Sequence, residues 1–134
     1  MPASADFNTP SRNARDFEFP AASGKKFYAG AIACLSATGF ATPGAAATTL
    51  KTVGRVKEYV DNSSGGDAAV NVKIERGCFR YGNSASTDAI TLAEVGSQCY
   101  VVDDITVAKT NGSSTRSIAG VVRDVDANGV WVEF

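Results

Sequence analysis

From Val95 to Phe134 the chain carries four short apolar runs: Cys99–Val102, Ile105–Ala108, Ile118–Val122 and Val130–Phe134. Between them lie Asp103-Asp104, then Asn111-Gly112 with Ser113-Ser114, then Asp126-Ala127-Asn128-Gly129. Short β-branched and aromatic runs with Asn-Gly at the corners predict an antiparallel meander. Upstream, Val70, Val72 and Ile74 alternate with Asn71, Lys73 and Glu75, a strict period of two. Val56, Glu58 and Val60 alternate less cleanly with their neighbours, and Asp61–Asp67 between the two segments reads as a flexible hairpin loop. Gly77, before Cys78-Phe79-Arg80-Tyr81, predicts a bulge or bend. Phe27–Leu35 predicts a buried strand that turns at Ser36–Gly39 into Phe40–Thr42, Ser84–Ala89 a loop, and Leu92–Val95 one helical turn.

No long amphipathic helix is visible in this pattern. It predicts an all-β chain, a single-domain β-sandwich or jelly-roll-like fold or a closed barrel, with about eight to ten short antiparallel strands. The β domain is expected over residues 21–134.

Residues 1–20 break the pattern. They are polar, carry Pro2, Pro10 and Pro20, and show no period, which predicts an extended N-terminal arm. Three phenylalanines nevertheless sit there: Phe7, Phe17 and Phe19. Aromatics in such a segment suit one that orders on a partner surface, with Arg12 and Arg15 as polar contacts. The alternative for Phe17 and Phe19 is a first edge strand against the domain's own core, since the two alternate as a strand would.

Charge and cysteine usage narrow the function classes. Net charge is −1, and residues 81–134 hold three basic groups against seven acidic ones, so no segment suits a phosphate backbone and nucleic-acid binding is not expected. The uncharged window 31–50 is too rich in Ala, Thr and Gly to be a membrane span. No apolar leader precedes the domain, so no signal peptide is expected. Cys34, Cys78 and Cys99 are odd in number and set in apolar runs, which predicts reduced, mostly buried thiols in a reducing compartment.

Candidate chemistry is sparse. Histidine is absent, which removes Ser-His-Asp and Cys-His nucleophile systems and His-ligated metal sites. Asp103 and Asp104 read as turn residues. Asp124-Val125-Asp126-Ala127-Asn128-Gly129 opens like a calcium loop, but no glutamate stands at the twelfth position, and a hairpin turn explains the same residues. Ser63–Asp67 lacks the Lys-Ser/Thr of a phosphate loop. Trp131, between Val130 and Val132, reads as a core or subunit-interface anchor rather than a ligand platform. No metal, cofactor or catalytic residue is expected.

With these residues in view, VGSQCYVVDDITVAKT followed by AGVVRDVDANGVWVEF resembles the C-terminal half of small structural proteins encoded in tailed-phage head operons. The preceding TVGRVKEYVDNSSGGDAAVNVKIERGCFRYGNS is similar as well, and the resemblance spans roughly residues 25–134. Its motifs are turns and strands, not a catalytic signature. The family is that of capsid decoration, or cement, proteins, which bind the outside of an HK97-type shell. The resemblance implies a non-enzymatic protein whose partners are the major capsid protein and further copies of itself, as dimer or trimer. It implies a place on the capsid exterior, after assembly in the host cytoplasm. Two other classes compete. One is a phage tail or baseplate protein. The other is a small β-barrel enzyme or carbohydrate-binding module, which would need a cleft lined by carboxylates or aromatics.

Overall fold

Twelve strands form from Asp16 onward in the computed structural model, which describes Met1–Phe134. They are β1 (Asp16–Pro20), β2 (Lys25–Phe27), β3 (Ile32–Leu35), β4 (Ala41–Pro43), β5 (Lys51–Val56) and β6 (Val60–Asn62). Then follow β7 (Asn71–Glu75), β8 (Cys78–Asn83), β9 (Gln98–Val101), β10 (Thr106–Ala108), β11 (Ile118–Asp126) and β12 (Gly129–Glu133). The chain is all-β, and no helix is long and apolar enough to cross a membrane.

The C-terminal runs close into a five-stranded barrel in the order β10-β8-β12-β11-β9. Alternation decides what fills it: Val130 and Val132 of β12 point inward against Val122 of β11, Cys99 and Val101 of β9, Val107 of β10 and Tyr81 of β8. Each fully buried Val contributes roughly 1.5–3 kcal/mol of transfer free energy. The predicted meander is present, with one difference. β10 does not pair with β11; it pairs antiparallel with β9 and parallel with β8 through Thr106↔Gly82 and Val107↔Asn83, and that parallel pair closes the barrel. Closure removes the free edges an open meander would expose. Gly120 sits at a register shift in β11, where a Cβ would fall on the Glu133 carbonyl oxygen.

A second five-stranded sheet runs β1-β7-β5-β3-β4. Its outer strands meet at one end, where Ala21 bridges Ala41 and the Ala22 amide donates to the Ala41 carbonyl at 2.8 Å. The sheet curls around its own core of Ala21, Ala33, Ala41, Val56, Val72 and Ile74, plugged by Phe27 from β2. Strand β3 serves both cores: Ile32 and Cys34 face the barrel and Ala33 faces the curled sheet. The two units are joined by Ile32 N–H to the Asp104 carbonyl (2.7 Å), by Tyr81 Oη to the Gly30 carbonyl (3.0 Å) and by Thr52 Oγ1 to the Ile118 carbonyl (2.8 Å).

Several expectations change. The run Phe27–Leu35 is not one strand: a turn at Tyr28–Ala31, with Gly30 at φ +92°, separates β2 from β3. The hairpin between the Val56 and Ile74 segments forms as β5–β7, but Val60–Asn62 leaves it to pair with β2. Its Asp61–Asp67 loop is tied down rather than flexible. The buried Asn62 donates through Nδ2 to the Ala22 and Gly66 carbonyls, and the Ser23 amide donates to Asp67 Oδ1. Cys34 and Cys99 are buried, but Cys78 is exposed, because β8 turns Cys78 and Arg80 outward while Phe79 and Tyr81 face in. The helical turn is a single 3-10 turn at Leu92–Glu94, started by a Thr91/Glu94 capping box.

Candidate interaction surfaces

Residues 1–14 make no backbone hydrogen bond to the rest of the chain, and Phe7 is 74% exposed. The segment is fastened at its root. Asn13 Oδ1 accepts from the amides of Arg15 (2.6 Å) and Asp16 (3.2 Å), a local turn of the kind short Asn side chains favour. The Arg76 amide donates to the Arg15 carbonyl at 2.7 Å, and the Arg15 guanidinium reaches Glu75 Oε1 at 2.6 Å. Lys57 Nζ bonds Asp16 Oδ1 at 3.1 Å; this bond and that of Asn13 hold the Asp16 carboxyl below the usual carboxylate range.

Of the expected arm, therefore, residues 16–20 are a strand. β1 pairs with β7 along its whole length, Phe17 opposite Ile74 and Phe19 opposite Val72. The two rings stack nearly parallel with centroids 6.2 Å apart, and Phe19 packs against the second core. Arg12 lies over the Phe17 ring, 4.6 Å from its centroid. Arg12, Arg15, Phe17 and Phe19 thus come together at one sheet edge, and Phe7 stands apart from them.

Beside this edge runs a groove between the two β units. One part, of about 410 Å³, is walled by Phe17, Phe19, Val53 and Phe134. It continues past Arg76 and Glu133 into an open concavity beside the Asn13–Arg15 root and Cys78. Val53, Arg76 and Phe134 could not be assigned to this wall from sequence, because three separate strands or their ends bring them together.

Trp131 lies on the outer face of the barrel, between inward-facing Val130 and Val132, and is only half-buried. It is not a core residue. Its Nε1 donates to Asp126 Oδ2 at 2.9 Å, and Arg80 lies 5.8 Å from the ring centroid. Asp126 also accepts from the Asn128 amide through Oδ1, so both its oxygens serve the β11–β12 hairpin. These bonds, led by that of Trp131, hold the Asp126 carboxyl below its ordinary range. No group of three His, Cys, Asp or Glu side chains is placed to hold a metal ion.

Comparison with known proteins returned no matching family model, no matching curated protein and no matching solved structure.

Proposed function

We propose that this chain is a non-enzymatic virion protein, a decoration or cement protein on the outer surface of an HK97-type phage head. The observation that carries the reading is the N-terminal segment: residues 1–11, bearing Phe7, project from a body that fixes their root at Arg12–Phe17, Arg15–Glu75 and Asp16–Lys57. Two hydrogen-bonded β units give a folded platform, and the projecting aromatic is the kind of group that anchors interfaces. The resemblance of residues 25–134 to head-operon structural proteins points the same way. The partners are the major capsid protein and neighbouring copies of the same chain.

A staple of this kind acts by mass action. Each copy bound to the closed shell stabilises it by RT ln(1 + [L]/Kd), roughly 2.7 kcal/mol per site at a free concentration about 100 times Kd. The test is co-sedimentation of the purified chain with expanded empty heads built from the major capsid protein of the same genome. Saturable binding at a fixed copy number per capsomer, weakened by Phe7→Ala, is the expected result. Heads that sediment bare, or recovery of the protein with tails, would overturn the reading.

A further inference from the structure

Apart from the groove beside β1, an open cleft of about 710 Å³ separates the Tyr28–Ala31 turn from β8 and the start of β10. Tyr28, Arg80, Asp104, Ile105, Thr106 and Asn128 line it. Two features distinguish it from the groove beside β1.

The first is an aromatic platform held open to solvent. Tyr28 is 57% exposed and Tyr59 53% exposed, yet their rings pack on each other with centroids 5.5 Å apart. Ile105, at the same mouth, is 61% exposed. Tyr59 fixes the attitude of Tyr28, so a flat apolar ligand face would meet a ring already in place.

The second is unused hydrogen-bonding capacity of both kinds. Arg80 has no carboxylate within ion-pair distance; all six ion pairs of the molecule involve other residues. The Asp104 carboxylate accepts from no other residue, although its neighbour Asp103 is bonded to the Ile105 amide. Burial and Asp103 push the Asp104 carboxyl up, as befits a half-buried carboxylate that lacks a donor. The Asn128 side-chain carboxamide and the Thr106 hydroxyl likewise bond nothing within the protein, while the Asn128 backbone amide and the Trp131 indole are both taken up by Asp126.

We propose that this cleft binds a neutral saccharide, one sugar ring lying on Tyr28 with its hydroxyl groups shared among Asp104, Arg80, Asn128 and Thr106. A pyranose presents a C–H face, which suits an aromatic ring, and a rim of hydroxyls that both donate and accept. Asp104 only accepts, Arg80 only donates, and Asn128 and Thr106 do both. A cationic ligand meets Arg80 and an anionic one meets Asp104 and Asp103, so a neutral polyol satisfies the set best. Pockets that combine an apolar floor with a few convergent polar groups are the usual form of small-molecule sites.

Trp131 is the single tryptophan of the chain and carries Arg80 over its ring, so ligand binding at Arg80 is read directly in tryptophan fluorescence. The experiment screens the full-length protein against an immobilised panel of neutral glucose-, galactose-, mannose- and N-acetylglucosamine-based oligosaccharides. The best binder is then titrated in solution. A saturable fluorescence change is expected, with affinity lowered about tenfold or more by Tyr28→Ala and by Asp104→Asn, and unchanged by Phe7→Ala. Both weakened positions lie at the cleft surface, and circular dichroism checks that each variant keeps the fold. No binding to any panel member at concentrations up to about 10 mM, or binding that these substitutions leave undiminished, would overturn the assignment. Heads play no part in the assay, so its outcome is independent of the decoration reading.

Discussion

Arg15 places Nη2 2.6 Å from Oε1 of Glu75, and so joins the root of the N-terminal segment to a carboxylate that the rest of the fold buries. Glu75 lies opposite Asp16 in β1 and opposite Arg55 in β5, but its ion-pair partner comes from neither strand position. Arg55 instead lies over the Phe79 ring, 4.8 Å from its centroid. Without Arg15, Glu75 would keep its desolvation cost and lose its partner. Arg15→Ala is expected to lower Tm by a few degrees, and the double variant with Glu75→Gln to regain part of the loss. Equal Tm values for wild type and Arg15→Ala in a thermal melt would show the pair to be idle.

The boundary between projecting segment and folded body falls near Asn13, not at Ala21. Removing residues 1–11 takes away no backbone hydrogen bond, so Tm should stay within about 2 °C of the full chain. Removing residues 1–20 strips β1 from β7 and uncovers Val72 and Ile74 from Phe19 and Phe17, so that chain should melt roughly 10 °C lower or fail to fold. Matching melts for the two truncations would contradict the placement of β1.

The amino-acid pattern reveals much of this fold and little of the interaction surfaces. The C-terminal strands are legible because β-branched alternation and the Asn128-Gly129 turn agree with each other over a short span. The strand in residues 16–20 is harder to see: Phe17 and Phe19 alternate, but Pro20 and the proline-rich residues before them mask the period. Strands β2, β4 and β6 are three residues each, too short for periodicity to register. Cys78 reads as buried from its apolar neighbours, and only the register of β8 after Gly77 turns it outward. The parallel closure of β10 on β8, the wall of Val53, Arg76 and Phe134, and the meeting of Tyr28 with Asp104 and Asn128 all join residues far apart in the chain. Short-range pattern carries no trace of such contacts.

The thiols should divide two to one. Cys78 is exposed, whereas Cys34 and Cys99 are buried, so a thiol reagent in native buffer should modify one cysteine quickly and the other two only in denaturant. Burial pushes the Cys99 thiol up to about 11 from its ordinary 9.0. In the unfolded chain this thiol ionises first, so stability is full below pH 9 and falls as pH rises towards 11, by roughly 2 kcal/mol from this group. Cys34 is raised for the same reason and adds to the loss. Urea unfolding at pH 8 and pH 11 measures it, and a Cys99→Ala variant should show a shallower decline. Stability that rises across this window would contradict the burial of both thiols.

Gly129 has φ +150° at the exit of the β11–β12 hairpin, and a Cβ there would fall on the Tyr81 carbonyl oxygen. Both the backbone conformation and the close approach of β8 exclude a side chain. Gly129→Ala should cost about 2–4 kcal/mol, read as a Tm drop of roughly 10 °C, while Asn128→Ala next to it should cost far less. Similar melts for the two variants would mean that β8 and β12 are not in the register described.

Electron cryomicroscopy of expanded heads incubated with the full-length chain tests the central claim most directly. Density is expected for the two-unit β body at symmetry-repeated positions on the outer shell, with residues 1–11 running from the Arg15–Glu75 root onto a neighbouring subunit and Phe7 seated there. Shells that remain bare, or density confined to the tail, would contradict it.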